Sequence, residues 1–273
     1  MSTYRLARGI HLPYELHNFD DRCRALLRIN PDDTIVEGTS AARLQRLWLP
    51  SEPEVPEFAT AEAGRAARAM RRSRRPEFKV RRRQIPLAHQ VIVDGIPMTS
   101  LARTWHDLAT QLSLPDLVAA GDRALQLGTT EDELWDMARQ LAGQRGVRAA
   151  RYALGFLNAR SASRPESHLR FAVEEAGLSC FNVNVAIRDC YGQWLAEPDL
   201  SCEDARIALE YQGADHASVV RMRRDITRET DLRRNEWLTL YYGPAEVFGR
   251  PWLIAPEVRR LIRRRAPGLL QTT

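Results

Sequence analysis

The chain has 273 residues, 44% of them hydrophobic, which is enough to bury a core in each of two domains. Lys and Arg total 40 against 35 Asp and Glu, a formal net charge of +5 that suits a nucleic-acid partner without requiring one. No apolar run approaches the roughly 20 residues that span a bilayer, the first residues lack a signal-peptide core, and the four scattered cysteines form no CxxC pair. A cytoplasmic protein with reduced thiols is the expectation.

In chain order, DDRCRALLRI and TSAARLQRLWLP carry apolar residues at helical spacing. Thr39 or Ser40 is placed to cap the second of these helices, and Pro50 to end it. SEPEVPEF reads as a loop. Then comes GRAARAMRRSRRPEFKVRRR, with ten basic residues between Arg65 and Arg83 and one acid, Glu77. It includes Lys79, the sole lysine of the chain. Arg71, Arg72, Arg74 and Arg75 are the candidates here for contact with a phosphate backbone; a solvated charged face is the rival reading of the same run.

QIPLAHQVIVDGIPMTS predicts β-structure around an Asp94–Gly95 turn, and helices are expected from Ser100 and from Pro115 and Asp116. Residues 129–160 read as a helical connector. The pattern changes from Arg164. A helix over SRPESHLRFAVEEAG ends at Gly177, two strands flank a Tyr191–Gly192 turn, and a third strand, ARIALEYQG, follows an SCED loop. A charged helix over roughly 218–235, the strand WLTLYY and a terminal helix from Pro256 complete an αβββαβ order with one further helix.

Carboxylates are poor strand formers, yet Asp199 and Glu210 fall where strand residues should sit. With SCED as the hairpin loop, Glu210 falls nearly opposite Leu195 or Glu197, and parity puts Asp199, Glu210 and Gln212 on one face. Two converging carboxylates repel unless a cation lies between them, and a hard divalent ion such as Mg²⁺ favours such oxygen ligands. Glu166, at the start of the preceding helix, is the third candidate carboxylate. Taken singly, each has a plainer role: Glu166 as a partner of Arg170, Asp199 as an acceptor at a strand end, His216 as a loop histidine and Arg228 as a solvated helix residue.

Pro198–Asp199, ten intervening residues and Glu210–Tyr211–Gln212 resemble the PD-(D/E)XK signature of the restriction-endonuclease-like fold. SRPESHLR, the EYQG turn with His216, and RDITRETDLRRNEWLTLYY make residues 161–273 similar to nuclease domains related to the very-short-patch-repair (Vsr) endonucleases. The resemblance implies Asp199 and Glu210 as ligands of Mg²⁺ or Mn²⁺, Glu166 and His216 in the catalytic set, and Arg228 as support for the site. Gln212 stands where many members of the superfamily have lysine, and it can orient water or phosphate without supplying charge.

TSAARLQRLWLP, VIVDGIPMTSLARTWHDLA and LPDLVAAGDRALQ resemble the AbiEi-like antitoxins of type IV toxin–antitoxin systems. The expectation is therefore an α+β protein of two domains: an antitoxin-like regulatory or DNA-contacting region over 1–128, the connector, and a nuclease domain with an αβββαβ core over 161–273. The expected activity is metal-dependent DNA endonuclease, in repair or defence. The alternatives are a non-catalytic DNA-binding regulator with a degenerate nuclease domain, and an interaction module of a mobile-element or defence locus. DNA, a second copy of the chain and a partner protein of such a locus are the expected partners.

Overall fold

The computed structural model describes residues 3–7, 10–13, 18–61, 78–213 and 228–270, in an α+β fold divided into two compact units, Met1–Leu154 and Gly155–Thr273. In the first unit, β1 (Thr3–Ala7) and β2 (Ile10–Pro13) form an antiparallel pair. A five-stranded sheet follows, built from β3 (Ile35–Val36), β4 (Glu57–Thr60), β5 (Lys79–Arg82), β6 (Gln90–Val93) and β7 (Ile96–Thr99) in the order β5-β4-β3-β7-β6. Asp94 (φ 49°) and Gly95 (φ 75°) make the tight β6–β7 turn, as the dipeptide predicts.

Helices α1 (Phe19–Leu27) and α2 (Gly38–Leu44) pack on this sheet through Cys23, Leu26 and Ala41 against Phe58, Ile96 and Met98. Neither Thr39 nor Ser40 caps α2. Its N-cap is Glu37, and the helix ends at Leu44, well before Pro50, where Arg46 turns left-handed (φ 62°). The Ser40 hydroxyl instead accepts the Glu57 N–H (2.9 Å), which ties α2 to β4. Gly38 is favoured where it stands because its φ of 60° is one that L side chains rarely adopt, and a Cβ there would also press on the Glu57 carboxylate.

Among the described residues, four further helices belong to this unit: α3 (Leu101–Leu108), α4 (Leu114–Gln126), α5 (Glu131–Gln140) and α6 (Val147–Leu154). Ser100 and Ser113 cap α3 and α4 through their side chains, and Thr130 with Glu133 forms a capping box on α5. The buried Trp105 donates its indole N–H to Leu117 O (2.9 Å), pinning α3 to α4. The stretch 129–160, read as a connector, places α5 against α3 and α6 against α4, so both helices belong to this unit.

The second unit is built on a mixed sheet in the order β13-β12-β11-β8, from β8 (Asn182–Val183), β11 (Leu200–Cys202), β12 (Ile207–Tyr211) and β13 (Leu238–Tyr242). β11 runs antiparallel to β8 and β12, while β13 is parallel to β12. The strands around Tyr191–Gly192, β9 (Ile187–Arg188) and β10 (Trp194–Ala196), form a separate two-stranded sheet rather than joining the main one. Helices α7 (Arg164–Glu174) and α8 (Ile254–Arg265) cover one face, where Leu169, Val173, Val258 and Ile262 meet Leu200, Ile207 and Leu209. On the other face Ala208 packs with Ile187, Leu195 and Leu232. Of the helix expected over 218–235, residues 228–234 are helical and 214–227 lie outside the described residues.

Candidate functional site

The β11–β12 hairpin sets the site. Leu200, Ser201 and Cys202 pair with Leu209, Ala208 and Ile207, so the connecting turn is Glu203–Arg206, with Arg206 left-handed at φ 49°. This corrects the register expected from an SCED loop. One residue beyond the last pair, Glu210 falls opposite Asp199 itself rather than Leu195 or Glu197. Directly opposed side chains share a face, and the Glu210 charge acts on Asp199.

Burial, and the neighbouring charges of Glu166 and Glu210, push the Asp199 carboxyl up to about 7, against the lowering effects of a hydrogen bond from Tyr211 N and of Arg228. Tyr211 N donates to Asp199 Oδ2 at 2.6 Å. Arg228 donates to Glu210 Oε2 at 2.6 Å, with both side chains mostly buried. Arg228 is therefore bound into the site rather than solvated. Tyr241, beside Glu210 in the parallel register, has its hydroxyl raised by burial and by the Glu210 charge.

Glu166 lies in the first turn of α7, whose N-cap Ser163 accepts Glu166 N. Its carboxylate accepts Ala162 N (2.7 Å), Ser163 Oγ (2.8 Å) and Asn184 Nδ2 (3.0 Å). The plain alternative, pairing with Arg170, is not what the structure shows. Arg170 is buried and binds Glu174 (2.6 Å) and Phe156 O (2.5 Å). Asn184, absent from the sequence reading, is left-handed (φ 46°), donates its N–H to Asp199 O (3.0 Å) and so joins Glu166 to the strand that carries Asp199. The signal available for it was an asparagine ending a short β run, a residue that tolerates this backbone conformation.

Gln212 extends the β12–β13 ladder through its N–H to Tyr242 O (2.9 Å), and its side chain is exposed at the end of the strand. Beside it, Phe248 takes an edge contact from Tyr211 and His168 and carries the Arg164 guanidinium 4.7 Å from its ring centroid. His216 lies outside the described residues, as do Arg71, Arg72, Arg74 and Arg75. The structure thus brings Asp199, Glu210, Glu166 and Arg228 into one electrostatic neighbourhood, with Gln212 at its margin.

The donor set is hard oxygen, and two opposed carboxylates fit Mg²⁺ or Mn²⁺ with water completing the shell. Among the described residues no group of three or more His, Cys, Asp or Glu side chains is close enough to hold a metal ion. The reason is visible in the partners: Glu166 is turned back onto its own helix start, and Glu210 onto Arg228. Among the described residues, no helix is long and apolar enough to cross a membrane.

No protein-family profile matches the chain. It is 30% identical over 179 residues to uncharacterized proteins MT2308 and Rv2248 of two Mycobacterium tuberculosis strains, CDC 1551 / Oshkosh and ATCC 25618 / H37Rv. The match covers 64% of this chain and 66% of each relative, slightly less than two thirds of their length. The crystal structure of the RV2827C protein of M. tuberculosis is 16% identical, with a TM-score of 0.35 over 57% of this chain and 58% of that one.

Proposed function

We propose that the second unit is a metal-dependent DNA endonuclease domain of restriction-endonuclease-like αβββαβ design, similar to the Vsr-like nucleases, and that the first is an antitoxin-like unit that regulates it or contacts DNA. The observation that carries this reading is the convergence of Asp199, just before β11, and Glu210 of β12 at one end of their hairpin, with the Asp199 carboxyl pushed up to about 7 by burial and by the charges of Glu166 and Glu210. Two half-buried acids brought together repel one another, and the Arg228 contact to Glu210 still leaves the Asp199 carboxyl raised; a cation between them would relieve the remaining repulsion. The order α7, β8, β11, β12, helical 228–234 and a parallel β13 supports the same design.

In this reading Asp199 and Glu210 would hold the cation, which would supply Lewis acidity at a phosphoryl oxygen. Asn184 and Ser163 hold the Glu166 carboxylate at the start of α7, from where its charge acts on Asp199. Arg228, which neutralises Glu210, would be able to bind a phosphate oxygen if a cation compensated that carboxylate instead. Gln212 orients the attacking water or a phosphate oxygen by hydrogen bonds. His216 belongs to the proposed set on the motif alone.

One observation favours a second reading, a DNA-binding regulator with a degenerate nuclease domain: the lysine position holds an exposed Gln212, and Glu210 already has a cation in Arg228. Incubation of the full chain with plasmid and linear duplex DNA in Mg²⁺ or Mn²⁺ separates the two. Cleavage that is lost in Asp199→Ala and in Glu210→Ala is the expected result. Cleavage that survives both substitutions refutes the endonuclease site, and DNA binding with no cleavage in either metal selects the regulator.

A further inference from the structure

The first unit carries a chain of alternating charges that the proposed nuclease does not use. Along β5 and the residue after it, Lys79, Arg81 and Arg83 alternate to one face of the sheet, about 6.6 Å apart at two residues per repeat. Beneath them lie three carboxylates. Glu57, the register partner of Lys79, accepts its ammonium (3.3 Å) and lies 3.8 Å from Arg81. Glu37 binds Arg81 (3.5 Å) and Arg83 (2.5 Å), and Asp107 binds Arg83 and, at 3.1 Å, Arg103.

Exposure divides the two signs. The carboxylate side chains of Glu57, Glu37 and Asp107 are 5%, 0% and 8% exposed, whereas those of Lys79, Arg81 and Arg83 are 64%, 47% and 29% exposed. The acids are therefore hidden braces, and the surface offers a graded row of cations, each paired with at least one of them. Guanidinium groups have donors to spare after a carboxylate contact and match phosphate geometry. Among the described residues β5 is also the terminal strand of its sheet, so no further strand flanks the row on that side.

We propose that Lys79, Arg81 and Arg83 form a pre-ordered track for the phosphate backbone of duplex DNA. A polyanion with regularly spaced charges is the partner whose chemistry matches a regular row of cations, and the contacts carry no base sequence, so they position the duplex rather than select it. The proposal rests on the reading of the protein as DNA-directed and stands whether or not the second unit cleaves.

Lys79 is the sole lysine, so an amine-acylating reagent can modify only that side chain and the α-amine. The full-length protein is acylated with and without a duplex oligonucleotide, in EDTA so that cleavage plays no part, and each site is read by mass spectrometry. DNA binding is followed by anisotropy in the same tubes. The expected result is about tenfold slower Lys79 acylation with DNA bound, unchanged α-amine labelling and loss of protection at high salt. In parallel, Lys79→Gln lowers the slope of log Kobs against log salt by about 0.9, and Lys79→Arg restores it.

Labelling of Lys79 at the same rate with DNA bound overturns the track, as does an unchanged salt slope in Lys79→Gln. Absence of any DNA binding also overturns it and points to an acidic protein or RNA as the partner. The same protection in Asp199→Ala separates this surface from the candidate nuclease site, because a failure there leaves the footprint intact.

Discussion

At the scale of single residues, Asp199 gives the sharpest pH signature. Its carboxyl is raised from an ordinary 3.8 to about 7, mainly by burial, so between these values the folded protein holds a proton that the unfolded chain has released. Its contribution to stability is complete below pH 3.8 and is lost as pH rises through 7. The metal-free protein should thus be stabilised at pH 8 by Asp199→Asn, by about 1–3 kcal/mol, since partial solvation screens the full effect. The proton also competes with a cation for the same oxygens. The Mg²⁺- or Mn²⁺-induced rise in Tm should therefore be larger at pH 8 than at pH 6 and vanish in Asp199→Asn. A rise independent of pH, or one retained in the variant, would place the cation elsewhere.

At the scale of elements, the energetics of the β5 row run opposite to its exposure. Arg83 compensates Glu37, which is fully buried and whose carboxyl burial already raises, and Arg83→Ala should cost about 3–5 kcal/mol by leaving that charge unpaired. Lys79→Ala, at the open end, should cost no more than about 1 kcal/mol. Denaturant unfolding of the two variants checks the order. The row also marks where sequence reading stopped. Ser100 announced its helix because capping is local chemistry, and Asp94–Gly95 announced its turn because both residues accept positive φ. Glu37, Glu57, Arg81 and Arg83 meet only through the parallel β4–β5 pairing and the α2 start, which no local pattern encodes. The β11–β12 register was misjudged for a related reason: Arg206 adopts a left-handed conformation that its side chain does not favour, so the turn lies two residues later than composition suggests. Parity survived that error, because a shift of the turn by two residues along one strand preserves the face.

At the scale of the whole molecule, the two proposed roles lie in different compact units, and removal of one should leave the other's signature. A fragment spanning 155–273 has its own core around Leu169, Leu209, Val258 and Ile262, and should melt cooperatively and keep the metal-dependent rise in Tm. The same fragment should bind duplex DNA with a shallower salt slope than the full chain, and an equal slope would assign all phosphate contacts to the second unit. The topology of that unit carries one more consequence. Asp199 and Glu210 share a hairpin closed by the short turn Glu203–Arg206, whereas Arg228 and Tyr241 arrive only when the crossover to the parallel β13 is complete. Short loops close in microseconds or less, while non-local parallel pairing is slow. On this ordering the two acids would face each other before their guanidinium partner is in place, open to a divalent ion in the medium. If the proposed cation site is correct, Mg²⁺ should therefore act as a transient template during folding, and the refolding rate of this unit should rise with its concentration; a rate independent of Mg²⁺ would count against the site.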